Sequence, residues 1–128
     1  MSDIPAQYPD MSQVRGVRWV SLEFPVGAAG AVGTVTGGEN MGTPVLNGVG
    51  DYSFPLTKTA VRLIAKDVFV VGATSTTTGK IAHVIADSVN SLTAPLLRVQ
   101  FVRVDTGAAA NVAQNDVLKV RICLQYLD

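Results

Sequence analysis

From Leu118 to Tyr126 the chain alternates without a break. Leu118, Val120, Ile122, Leu124 and Tyr126 are apolar, and Lys119, Arg121, Cys123 and Gln125 lie between them. A period of two over nine residues requires an extended strand with one face packed and the other toward solvent, which is the habit of antiparallel sheets. The same pattern recurs upstream. Val20, Leu22 and Phe24 share a face opposite Trp19, Ser21 and Glu23, and Pro25-Val26-Gly27 stops that strand. Tyr52, Phe54 and Leu56 share another, where Pro55 implies an edge strand or an outward-pointing proline. Leu97, Val99 and Phe101 stand opposite Arg98, Gln100 and Val102.

Two further strands are less clean. Residues 60–71 are rich in β-branched side chains around Lys66-Asp67, which predicts one bent or bulged strand, or two short ones. Lys80 to Asp87 sets Ile81, His83 and Ile85 against Ala82, Val84 and Ala86. Thr74 to Gly79 reads as a polar loop tip. The Gly-rich stretch Gly27 to Gly42 cannot form a helix, because each interior Gly costs ~1 kcal/mol against Ala. It reads as a long loop, or as a poorly pinned edge strand around Thr34 to Thr36. Six to eight strands, with turn signals every ten or so residues and no amphipathic helix, predict an all-β fold. The expected architecture is an antiparallel β-sandwich, jelly-roll-like. At 128 residues there is room for one ordinary domain. We place it at residues 14–128, behind an extended N-terminal arm at residues 1–13.

The chemistry is sparse. His83 is the only histidine and Cys123 the only cysteine, so no zinc site of recognisable spacing and no intrachain disulfide can be assembled. Cys123 reads as a packed thiol, and His83, on an apolar strand face, as a packed or interface residue. The ten carboxylates are scattered, several of them at turns. The Gly-rich stretch lacks the Gly-Lys-Ser/Thr ending of a phosphate loop, and no serine sits in a nucleophile elbow. Neither an enzyme nor a metal or other cofactor is expected. Ten basic and ten acidic residues without a basic block argue against nucleic acid. Met1 to Asp10 carries no basic residue and no apolar run, so no signal peptide is expected. No segment reaches the ~18 apolar residues of a membrane helix, so a soluble chain without a membrane partner is expected. Charged residues are only 16% of the chain and formal net charge is zero, which leaves a surface that is cheap to desolvate and favours self-association.

Within the arm, Ile4, Pro5, Tyr8, Pro9 and Met11 suit docking on a neighbouring molecule: the prolines hold it extended and the apolar side chains supply anchors. Trp19, opposite the packed face of its strand, is the candidate surface aromatic. A lectin-like module would need such aromatics grouped on one sheet face, and Trp19 and Tyr8 are the ones outside the core pattern.

Two segments, GVGDYSFPLTKTAVRLIAKDVFVV (48–71) and TAPLLRVQFVRVDTGAAANVAQNDVLKVRICL (93–124), resemble the small all-β virion proteins of tailed bacteriophages, in particular capsid decoration or cement proteins. The resemblance rests on a Gly-Asp-Tyr turn leading into one strand and an Asn-Asp turn leading into a last alternating strand. It implies a structural protein on the capsid exterior, made in the host cytoplasm, that bridges neighbouring subunits of the major capsid protein. It also implies a homo-oligomer, a trimer or dimer. A tail, neck or head-fibre component that presents its β domain to a receptor or another virion protein is the alternative. Gly27 to Gly42 lies outside the resemblance.

Overall fold

A computed structural model describes residues 16–72 and 80–127. The arm residues Ile4, Pro5, Tyr8, Pro9 and Met11 and the loop Thr74 to Gly79 fall outside this range. Among the described residues eight strands form two four-stranded antiparallel sheets: β1 Val17–Pro25, β2 Thr36–Gly37, β3 Val45–Gly48, β4 Asp51–Pro55, β5 Arg62–Val71, β6 Lys80–Asp87, β7 Leu96–Arg103 and β8 Val117–Gln125. One sheet runs β2-β1-β8-β5 and the other β3-β4-β7-β6. First and last strands are neighbours in one sheet, and β4 and β7 pair in the other. The β-sandwich is the fold the alternating strands predicted.

The core is what those strands turn inward. Phe24 from β1, Tyr52 and Phe54 from β4, Phe101 from β7 and Leu118, Ile122 and Leu124 from β8 are fully buried. Tyr52 is the hub. Its ring centroid lies 5.9 Å from that of Phe24, 6.4 Å from Phe54 and 6.0 Å from Phe101, the last edge-on. Such spacings suit aromatic quadrupoles and hold the two sheets in register. Pro55 ends β4, which lies between β3 and β7, so the outward-pointing alternative holds and the edge one does not. Residues 62–71 form a single strand with a bulge between Leu63 and Ala65.

The Gly-rich stretch departs from expectation. It is neither a loose loop nor poorly pinned. Ala28–Gly30 makes a 3-10 turn, Val26 bridges Val32, Thr36–Gly37 pairs with β1 as an edge strand, and Met41 bridges Leu56. The Tyr52 hydroxyl donates a buried 2.5 Å hydrogen bond to the Gly30 carbonyl. Gly33 passes so close to β1 that a Cβ there would lie 2.3 Å from the Pro25 carbonyl oxygen. These glycines let backbone approach backbone.

Strand β6 also differs. Ile81, His83 and Ile85 face outward and are exposed, while Ala82 and Val84 face the core and are half-buried. His83 is therefore not packed inside. On the inner face its neighbour Ala82 stands opposite the buried Phe101.

Candidate functional site

Both sandwich layers present an open outer face. On the β2-β1-β8-β5 face, antiparallel register sets side chains in rows: Trp19, Cys123 and Ala65; Ser21, Arg121 and Asp67; Glu23, Lys119 and Phe69; Pro25, Val117 and Val71. Trp19 is 39% exposed and Phe69 40%. The Arg121 guanidinium lies 4.5 Å from the Trp19 ring centroid, a cation–π contact that fixes the indole on the sheet. Glu23 and Lys119 are 3.7 Å apart and both partly exposed, so their pairing contributes little to stability. A shallow depression of about 270 Å³ is lined by Ser21, Glu23, Thr36, Phe69, Lys119 and Arg121. Another of about 300 Å³ lies beside Trp19, walled by Arg18 and by the Gly38 to Asn40 turn. Sequence singled out Trp19 and missed Phe69, because Val68-Phe69-Val70-Val71 is apolar on both faces and gives no sign of which side is buried.

Cys123 belongs to the same outward rows, yet it is fully buried and burial pushes its thiol pKa up. It is a packed thiol, as expected, although it lies outside the core cluster between the sheets.

The β3-β4-β7-β6 face divides in two. Toward β4, Asp51 accepts from Arg98 Nε at 2.8 Å and Nη2 at 2.5 Å, a bidentate pair. Asn47 Nδ2 adds contacts to Asp51 Oδ1 at 3.3 Å and Ser53 Oγ at 2.7 Å. The hydrogen bonds from Arg98 hold the Asp51 carboxyl below its usual range despite partial desolvation. This is a closed network with its acceptors already used. Toward β6 the face turns apolar: Ile81 is 54% exposed and Ile85 40%, with Val102 opposite Ile81 and Gln100 opposite His83. Among the described residues no group of three or more His, Cys, Asp or Glu side chains is placed to hold a metal ion, and no helix is long and apolar enough to cross a membrane.

No protein-family model, curated protein or solved structure matches the chain.

Proposed function

We propose that this chain is a non-enzymatic structural virion protein. It decorates a phage capsid on its exterior and stabilises it by bridging neighbouring copies of the major capsid protein. The observation that carries this reading is the outer face of β2-β1-β8-β5. Trp19, Phe69 and Val71 stand there exposed, with Glu23 and Lys119 3.7 Å apart and the Arg121 guanidinium over the Trp19 ring. Burying exposed aromatic and aliphatic surface supplies ~25 cal/mol per Å², and rigid aromatics lose little conformational entropy on docking. A low-charge surface adds little desolvation penalty.

The test is co-sedimentation of purified protein with undecorated capsids. Phe69→Lys and Trp19→Ala, both on exposed positions, are expected to abolish or strongly weaken binding while the melting temperature stays near that of the wild type. Undiminished binding by both variants would refute this face as the shell contact.

The two depressions beside Trp19 and Phe69 favour one second reading, a tail, neck or head-fibre component that seats a receptor or virion segment in them. Imaging separates the two. Many copies spread over the shell mark a decoration protein, and a few copies at one vertex or on the tail mark the alternative.

A further inference from the structure

We infer that β6 is a homodimerisation edge, pairing antiparallel with β6 of a second copy about a two-fold axis through His83. The two four-stranded sheets then join into one of eight. This inference concerns the other layer and does not depend on what the Trp19 face binds.

The sandwich edges differ in how they are guarded. Strand β2 has two residues, and β3 has four with a bulge. Strand β5 is bulged and carries exposed Lys66 and Asp67 beyond the bulge. Short edges, bulges and charges are the usual protections against strand addition. From Lys80 to Val84, β6 keeps an unbroken ladder with β7 and no charge between its ends, and among the described residues no strand pairs with its other side. Its core-facing Ala82 and Val84 are only half-buried, so the interior is left partly open at this strand.

The sequence of β6 is self-complementary in one register. Directly opposed residues of an antiparallel pair must share a face, which excludes every register that sets an outward residue against an inward one. With the axis at His83, Ala82 opposes Val84 of the second copy on the inner face, and Ile81 opposes Ile85 on the outer face. Strand β6 has a bulge at Ile85, where Ile85 and Ala86 together occupy one step of the ladder. Counting through that bulge sets Lys80 opposite Asp87 of the second copy, at both ends of the pairing. Four isoleucines thus flank the axis, and opposite charges close each end. This is the isologous arrangement a two-fold dimer requires.

At the axis the two His83 side chains face one another. Around each stand Ile81 and Ile85 on its own strand, and Gln100, Arg98 and Val102 on β7. Arg98 is the nearest charged group among these, and its guanidinium is held by Asp51. Asp51 stands in the same cross-strand row as His83, on the far side of Gln100.

Sedimentation equilibrium of the full chain is the test. At pH 8 the expected mass is twice 13.4 kDa. Ile81→Lys should be monomeric while its circular dichroism spectrum stays that of the folded wild type. Lys80→Glu and Asp87→Lys should each weaken the dimer, and the double exchange should restore it. A monomer at pH 8 and high micromolar concentration overturns the inference. So does a trimer, or a dimer indifferent to Ile81→Lys. Capsid co-sedimentation reads the other face, so either proposal can fail without the other.

Discussion

Tyr52→Phe removes one atom from the centre of the sandwich and nothing else. The phenol ring is fully buried among Phe24, Phe54 and Phe101, and phenylalanine keeps those contacts. What is lost is the 2.5 Å hydrogen bond to the Gly30 carbonyl, whose residue is itself buried. A net hydrogen bond contributes roughly 1 kcal/mol, and an orphaned buried carbonyl costs about 1–3 kcal/mol, so the expected loss is about 1.5–2 kcal/mol. For a domain of this size that is a fall in melting temperature of roughly 5–8 °C, with the urea m-value unchanged. Calorimetry and urea titration measure both. Hydrogen exchange adds a local readout: the Gly30 and Ala31 amides close the 3-10 turn through Gly27 and Ala28, and should exchange faster in the variant. Burial raises the Tyr52 pKa from 10.0 to about 12. Folding thus favours the neutral phenol, and the associated stability is whole below pH 10 and lost as pH rises toward 12. The wild type should lose stability over that window more steeply than Tyr52→Phe. A change under ~1 °C at pH 7 with unaltered exchange at Gly30 would refute the view that Tyr52 anchors the Gly-rich segment.

Gly50→Ala should cost more, above ~2 kcal/mol, because Gly50 has φ +66° and an added Cβ would lie 2.3 Å from the Ala110 carbonyl oxygen; chemical denaturation measures it. Asp51→Asn should lower stability by about 1–2 kcal/mol at pH 7, the half-exposed Arg98 limiting the loss, as read by urea titration. Because the folded pKa of Asp51 is lowered, its contribution is present above the ordinary value of 3.8 and fades as pH falls below it, so acid titration of the variant should be shallower there. Cys123 should react with a thiol reagent far more slowly in the folded protein than in urea, since it is buried and its pKa is raised; equal rates would show that the β1-β8-β5 face opens readily.

How far the fold could be read from sequence follows from what alternation encodes. In β8, β1 and β7 one face is apolar and the other polar, so the pattern names the strand and its buried side together, and Phe24, Val99, Phe101 and Ile122 are where it puts them. Strand β6 alternates too, but both of its faces are apolar. The larger set, Ile81 and Ile85, looks like the core face and is instead outside. What stands across from the inner face at Ala82 is the buried Phe101 of β7, some twenty residues away and outside any local pattern. The Gly-rich stretch was opaque for the same reason: its anchor, Tyr52, belongs to another strand, and nothing local in Ala28-Ala29-Gly30 announces an acceptor for a buried hydroxyl.

The same argument bears on the candidate surfaces. Trp19 was legible as an outward aromatic because Val20, Leu22 and Phe24 fix the inner phase of β1, whereas Phe69 sits in a run without phase. A strand with one polar face needs no further partner, since its solvated side is satisfied by water. A strand that is apolar on both faces and bonded along one edge still has apolar area and backbone groups to cover. Among the described residues β6 is such a strand, with its larger isoleucines outside and its interior neighbours half-covered. The ambiguity that hides its orientation from the sequence is thus the property on which the proposed pairing with a second copy rests.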